Sequence, residues 1–395
     1  MQPTSPAGNS DVRRHNTAIV LAEATRGPGR SRAEIAAATG LAKATVSSLV
    51  DRLVAARLLD ETGPQSATGR GRRGTALIPS PRGPHGLGVE IGVDYIATCL
   101  VDPTGGEHAH RVHPADNRDR APADVLASVS AAITDAESDA ARREAPIGGL
   151  AVAVPGLVDH DTGIVRAAPN LNWSDVDVPA ALGRQALVDN EANLAAVGEL
   201  TVGLDTRDFL LVSAEIGVGA GLVLDGQVRR GTNGFSGEIG HACVDAAGPL
   251  CSCGARGCLE RMAGPAAILA DAGVRTRAPL DLAITELVDR LSTGDARAVA
   301  AVASAGTRLG LALAGAVNVL DVPVVVLGGG YAKLHPWLAE SVAAELTSRV
   351  VANRWSPTRV VPSALGAKAA VRGAGQAALH QILGDPDTYI RGILH

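Results

Sequence analysis

Lysine, aromatic residues, cysteine and long apolar runs are all scarce in this sequence, and most of these scarcities exclude something. No uninterrupted apolar run reaches the roughly 18 residues that a membrane-crossing helix needs. The opening stretch, MQPTSPAGNSDVRRHN, has no apolar core like that of a secretory leader. The expectation is a protein of the cytoplasm. Five cysteines in 395 residues suit metal binding better than disulfides in that compartment. Two Phe, three Tyr and three Trp leave few rings on which a ligand could stack. Arg outnumbers Lys by 33 to 3, which fits a GC-rich genome and identifies no source.

What is present is a globular composition: 46% hydrophobic residues, 19% charged and 46 glycines, long enough for two or three domains. The net charge of −5 argues against a general polyanion binder. Its distribution is uneven. Residues 1–80 carry eleven Lys/Arg against six Asp/Glu, so this segment is +5 and the remainder −10. That asymmetry suggests a small nucleic-acid-binding module on an acidic body, although charge alone fits an incidental basic surface equally well.

Residues 1–12 read as a loose tail and 13–80 as a winged helix-turn-helix. A helical pattern runs from Arg13 through HNTAIVLAEAT and stops at RGPGR. Ser31 with Glu34 three residues on is a capping-box arrangement that starts a short helix, and Gly40 supplies the turn. In LAKATVSSLVDRLVAARLL, Val46, Leu49, Val50 and Leu53 fall on one face. The other face shows Lys43, Ala44, Thr45, Ser47, Ser48 and Arg52, small or hydrogen-bonding groups flanked by cations. With Ser31 and Arg32 at the preceding helix start, these are the candidate DNA contacts. Arg70, Arg72 and Arg73 sit at the tip of a hairpin-like stretch and are candidates for a minor groove. The same layout occurs in proteins that never touch DNA; the cationic tip favours DNA.

Residues 81–86 read as a linker, and 87–395 as an α/β body. Strand pairs and glycine loops recur in both halves of it, as expected for two similar lobes around a cleft. Within it, GEIGHACVDAAGPLCSCGARGCLE places four of the five cysteines together. His241, Cys251, Cys253 and Cys258 follow H-x9-C-x-C-x4-C. Three thiolates and an imidazole make a closed tetrahedral Zn²⁺ site of the structural type, spanning 241–258; reduced, unliganded thiols are the alternative. Cys243 and Cys99 read as small core residues. Zinc on one ring nitrogen of His241 would free the other for a ligand, and the loop would present Glu238, His241 and Glu260 to something polar.

These residues resemble the signature of the ROK family (repressors, open reading frames and kinases). APNLNW, VDNEANLAAVGE and VVVLGGG match further family segments, and the winged helix matches its regulator branch. The resemblance implies an actin/hexokinase-like fold of two α/β lobes with a sugar between them. Carried over by position, the sugar contacts would be Asn170, Asn190, Glu191, Glu238, His241 and Glu260. Carboxylates, amides and an imidazole are what sugar hydroxyls require.

The family's kinases carry a first phosphate loop D-I-G-G-T-K, where this chain has Glu90-Ile91-Gly92-Val93-Asp94-Tyr95. Their second loop, G-T-G-x-G-x-G, falls on Glu215-Ile216-Gly217-Val218-Gly219-Ala220-Gly221. Phosphate sites use backbone N–H groups, hydroxyls and cations, not carboxylates. The catalytic aspartate falls on Glu191, one methylene longer. The reading is therefore a sugar-responsive transcriptional regulator, a repressor of carbohydrate genes that acts as a homodimer or a dimer of dimers, binds operator DNA and structural zinc and is not an enzyme. The alternatives are an ATP-dependent sugar kinase with atypical loops, or a regulator whose signal is a partner protein.

Overall fold

The structure is a computed structural model describing residues 9–27, 29–64, 75–274 and 279–393. The N-terminal module opens with α1 (Asn9–Ala24), so residues 9–12 of the expected tail are helical and the helix begins before Arg13. A short strand β1 (Arg30–Ser31) leads into α2 (Arg32–Thr39). The capping box forms: the Glu34 amide donates to Ser31 Oγ at 3.3 Å, and the Ser31 amide donates to the Glu34 carboxylate at 2.7 Å. Gly40, at φ 71°, ends α2 in the left-handed conformation that glycine adopts most easily. Helix α3 (Lys43–Ala55) buries Val46, Leu49, Val50 and Leu53, the four residues whose spacing marks its inner face. Strands β2 (Leu59–Pro64) and β3 (Thr75–Pro79) pair antiparallel, and β1 joins β3 to complete the wing sheet. Arg70, Arg72 and Arg73 lie outside the described residues.

In the body, β4 (His85–Ile91), β5 (Tyr95–Val101) and β6 (Glu107–Pro114) form an antiparallel meander. Next come α4 (Pro122–Arg142), β7 (Ile147–Val154) and a small sheet of β8 (Leu157–Asp159), β9 (Ile164–Ala168) and β10 (Trp173–Asp177). Then follow α5 (Val178–Leu182), β11 (Leu187–Asn190) and α6 (Glu191–Glu199). The second lobe repeats the scheme with β12 (Phe209–Ala214), β13 (Val218–Leu224) and β14 (Gln227–Val228). After α7 (Leu259–Ala263), α8 (Pro265–Ala272), α9 (Leu280–Ser292) and α10 (Ala296–Leu320) come β15 (Val324–Gly329), α11 (Gly330–Arg349) and β16 (Arg359–Pro362). Helices α12 (Ala369–Gly384) and α13 (Pro386–Ile393) close the described chain.

The two sheets run β11-β7-β4-β5-β6 and β16-β15-β12-β13-β14. Each is a three-stranded meander with two parallel strands added beside its first strand, so the lobes are topological repeats. Their central strands are continuous apolar runs because helices cover both faces. Asp225-Gly226 closes β13 onto β14, with φ 56° and 71°, as a type I′ turn requires. Helix α10 is long and apolar enough, by length and composition, to cross a membrane. Its buried face, including Leu309 and Leu313, belongs to the second-lobe core with α11 residues Leu338 and Val342.

Residues 81–86 are not a free tether. Gly83, Pro84, His85 and Gly86 are buried, and β4 has already begun at His85. One apolar cluster joins Val20, Leu21, Val46 and Leu53 of the winged helix to Ala97 and Cys99 of β5, Val371 and Leu379 of α12, and Ile390 of α13. A polar anchor reinforces it. Asp387, 2% exposed, accepts from Thr17 Oγ1 at 3.2 Å and lies 3.1 Å from Arg52 and 3.6 Å from Arg13. Arg14 makes a two-pronged pair with Asp385 at 2.8 and 2.6 Å. Hydrogen bonds to a buried charge contribute about 1.5–3 kcal/mol. Asp387→Ala is therefore expected to lower unfolding stability by about 1–3 kcal/mol in a denaturant melt; an unchanged midpoint would show that the anchor contributes nothing.

Candidate functional site

The cleft between the lobes is built by strand ends and helix starts. Asn190 ends β11 and caps α6: its Oδ1 accepts from the amides of Ala192 (2.8 Å) and Asn193 (3.4 Å). Its Nδ2 donates to the Gly156 carbonyl at 2.8 Å. Asn190 thus fixes the first turn of α6, and most of its side chain is committed to that task. Glu191, the next residue, is half-buried on the cleft floor. No hydrogen bond or ion pair holds it among the described residues.

Glu191 faces other acids. Burial, then Glu90 and Glu238, push it up to about 8. Glu90, at the end of β4, is pushed up to about 7 by burial. Glu215, in the loop between β12 and β13, is raised well above the usual carboxylate range by burial, then by Glu90 and Glu191. The Tyr95 hydroxyl donates to Glu90 at 2.6 Å. Its ring lies over Gly92, where an added Cβ would meet it at 2.5 Å. Tyr95 and Glu215 therefore line the same cleft as the glycine loops at Gly92 and Gly217. A cavity of about 460 Å³ opens here, lined by Tyr95, Asn170, Glu191, Glu215, Gly217 and Lys333 among others. That volume lies within the range of about 300–1,000 Å³ usual for small-molecule sites. A second cavity meets it at Asn170 and Ile216 and is walled by Glu260 and Arg261.

The cysteine loop stands at the rim. His241, Cys251, Cys253 and Cys258 bring one ligand atom each within 4.8 Å of one another. Cys253 Sγ and Cys258 Sγ are 3.7 Å apart, as are Cys251 Sγ and His241 Nδ1. A zinc tetrahedron with Zn–S bonds of about 2.3 Å has edges of about 3.8 Å, so the donor set and its spacing fit zinc. All five cysteines are free thiols. Cys99 is buried as expected, but Cys243 is exposed, because the turn that gathers the ligands leaves it on the outer side.

The loop positions the polar groups expected of it. His241 turns Nδ1 toward Cys251 and Nε2 toward Glu238 Oε2, 3.8 Å away. Cys258 is the residue before α7, whose first turn carries Glu260. Glu260 Oε2 accepts from the Val218 amide at 3.1 Å, tying the cysteine loop to the second glycine loop. A Cβ at Gly217 would lie 2.6 Å from Glu260 and 3.7 Å from Asn170 Nδ2, so both reach the same bare backbone. Burial raises the pKa of Glu238; His241 opposes that shift and Glu260 adds to it. Asn170, Glu191, Glu238, His241 and Glu260 thus gather around one loop, with Asn190 behind them. Asp281 and its ion-pair partner Lys333 also line the cleft. Sequence reasoning missed them because each sits in an ordinary helix and only the packing of α9 on α11 brings them together.

On the winged helix, Lys43, Ala44, Thr45 and Ser48 are exposed and Ser47 half-exposed at the start of α3. Ala42 gives that helix no side-chain cap, leaving its first amides free for an anion. The other candidates have structural roles. Ser31 caps α2, Arg32 pairs with Asp51 (2.7 Å) and Glu61 (2.8 Å), and Arg52 turns away to Asp387. An arginine held by two carboxylates is less available to a phosphate.

The architecture defines a class: a winged helix-turn-helix regulator module on a two-lobed, hexokinase-like body. The chain belongs to the ROK family, whose model matches residues 86–381, and residues 11–71 match the MarR family model. It is 30% identical over 387 residues to the xylose repressor of Bacillus subtilis (strain 168), covering 95% of this chain and 98% of that protein. It is 28% identical over 379 residues to the DNA-binding transcriptional dual regulator NagC of Escherichia coli (strain K12), covering 92% of each. The crystal structure of a ROK-family transcriptional regulator, a homologue of the E. coli MLC protein, matches with a TM-score of 0.80 at 25% identity. It spans 96% of this chain and 99% of that one.

Two measurements test the site. Cys253→Ser is expected to remove one equivalent of zinc per chain by elemental analysis and to lower the melting temperature; retention of full zinc would exclude the four-ligand site. The raised carboxyls set a pH dependence. Folded Glu191 and Glu90 hold protons up to about 8 and about 7, against an ordinary 4.5, so the folded state binds more protons than the unfolded one between those limits. Stability therefore falls as pH rises through that window. Glu191→Gln is expected to gain melting temperature relative to wild type between about pH 5 and 8; parallel profiles would contradict the shift.

Proposed function

We propose that this protein is a sugar-responsive transcriptional repressor of carbohydrate-use genes, acting in the cytoplasm as a homodimer on operator DNA. One observation carries the reading: Asn170, Glu191 and Gly217 line one cleft with Glu238, His241 and Glu260 beside it, and the groups set against its glycine loops are Tyr95, Glu90 and Glu215 rather than free hydroxyls or cations. Full-length likeness to named repressors supports the same conclusion. The effector would be held by Asn170, Glu191, Glu238, His241 and Glu260, with Asn190 setting the turn that carries Glu191. Zinc on His241, Cys251, Cys253 and Cys258 would be structural: it would hold the rim and leave His241 Nε2 free for a sugar hydroxyl.

The chain is read as a non-enzyme. Lys333 and Lys368 line the same cavity, but they are paired with Asp281 and Glu107, so neither cation is free to offset ATP. Lys43, Ala44, Thr45, Ser47 and Ser48 would meet the major groove, with Arg70, Arg72 and Arg73 as the wing's contribution. A sugar can shift operator affinity only by binding one cleft state better than another. Helix α6 starts at Glu191 and packs on α12, which shares its core with the winged helix; this is a contiguous route for that shift.

The test is a gel shift on the DNA upstream of its own gene, repeated with pentoses, hexoses and N-acetylhexosamines. A band that one sugar abolishes or tightens, with no ATP turnover on any sugar, is the expected result. A band indifferent to every sugar, or sugar-dependent ATP hydrolysis, would overturn the proposal. Lys43→Ala is expected to weaken binding to all sequences and to reduce the slope of log affinity against log salt by about one. A slope unchanged from wild type would remove Lys43 from the phosphate contacts. Light scattering at micromolar concentration checks the dimer; a monomer there would sink it.

A further inference from the structure

A second set of ligating side chains lies at the other end of the first-lobe sheet, away from the cleft. His85, Asp102 and His108 bring one ligand atom each within 4.8 Å of one another. The sheet places them. Gly86 pairs with Val101, which sets His85 level with Asp102. Between β5 and β6 the register slips, Leu100 facing Ala109 and Val101 facing Glu107, so His108 is the extra residue of a bulge. Bulges re-aim a side chain, and this one directs His108 to Asp102.

Two of the three, His85 and Asp102, are already oriented from behind. His85 Nδ1 lies 2.9 Å from the Gly83 carbonyl, which can only accept. Nδ1 therefore carries the proton, and Nε2 is a bare lone pair. That Nε2 is buried without a hydrogen-bond partner, in a residue 1% exposed. Asp102 Oδ1 accepts from the Thr104 amide (2.7 Å), the Thr104 hydroxyl (2.6 Å) and the Gly106 amide (2.9 Å). Its Oδ2 is left to face His108 Nε2 at 2.5 Å. The two imidazoles meet edge to face, with centroids 4.8 Å apart. Two acceptors, His85 Nε2 and Asp102 Oδ2, thus share a pocket in which His108 supplies at most one N–H.

We propose that His85, Asp102 and His108 form a second metal site, separate from the cysteine loop, for a divalent transition-metal ion such as Zn²⁺, Co²⁺ or Ni²⁺. Two imidazoles and a carboxylate are the donor set such ions take. An imidazole N–H on a backbone carbonyl and a carboxylate held by amides are the outer contacts that usually orient metal ligands. The His108 side chain is 34% exposed, which gives the ion an entry and room for water. The site also has a structural address. A Cβ on Gly83 would fall 2.4 Å from the Arg57 carbonyl, so the backbone that orients His85 is wedged against the end of the winged helix. An ion here would stiffen the chain where the DNA-binding module joins the body.

The test is a metal count on the full chain, stripped with chelator, reloaded with Zn²⁺ or Co²⁺ and desalted. Wild type is expected to keep two equivalents, Cys253→Ser one, His108→Gln one, and the double variant none. His108 is partly exposed, so its replacement leaves the core intact; His85→Gln is the supporting variant. With Co²⁺, His108→Gln should retain the intense thiolate charge-transfer band, whereas Cys253→Ser should show only weak d–d absorption. One equivalent in wild type, or two in His108→Gln, would overturn the proposal and leave His108 and Asp102 as a hydrogen-bonded pair. Loss of the thiolate band alone bears on the cysteine loop and not on this site.

Discussion

Helix α12 sits so close to its neighbours that only glycine fits at the contacts, and the relation between the DNA-binding module and the cleft depends on that seating. A Cβ on Gly373 would lie 1.7 Å from the Leu194 carbonyl of α6; one on Gly86 or Gly88 would lie 2.0 Å from α12 backbone. Helix α12 is thereby pressed against both the first-lobe sheet and the helix that begins at Glu191. It also contributes Val371, Leu379 and Ile382 to the core shared with the winged helix. Close-packed contacts of this kind do not deform gradually; they shift as units. A change at the start of α6 therefore has a rigid path to the base of α3, where Asp387 holds Arg52.

The cleft shows how a kinase-like scaffold is turned to another use by electrostatics. Phosphate needs a concentration of N–H groups and cations. Here burial raises the pKa of Glu90, burial and then Glu90 raise that of Glu191, and burial, then Glu90 and Glu191, raise that of Glu215, while Tyr95 lies over Gly92 with its hydroxyl on Glu90. Carboxyls that keep their protons can donate as well as accept hydrogen bonds. The cysteine loop acts on the same site from the rim. By fixing His241 and the start of α7, it fixes Glu260, which in turn pins the loop at Val218.

Local patterns in the sequence had local consequences. The capping box at Ser31, the buried face of α3, the turn at Asp225-Gly226 and the cysteine spacing each depend on residues a few positions apart, and each forms as its spacing implies. The departures come from residues far apart in the chain. Asn190 is spent on capping α6 and on Gly156. Arg32 and Arg52 are drawn to Asp51, Glu61 and Asp387, so the basic face of α3 is narrower than its sequence suggests. Cys243 lies inside a cysteine-rich motif yet points outward, because four ligands suffice and the turn has only one inner side.

The sequence alone determined the family, the two-part architecture and the grouping of side chains in the cysteine loop, because these follow from short-range spacing and side-chain chemistry. Tertiary structure alone decided how the parts are joined and which charges remain free. Residues 83–86 of the linker are buried, the winged helix shares a core with α12 and α13, and a bulge in β6 brings His108 to Asp102 and His85. Those outcomes depend on sheet register and on helix crossings between residues some 370 positions apart, such as Thr17 and Asp387. No local pattern encodes a contact at that separation; it exists only once the lobes have packed.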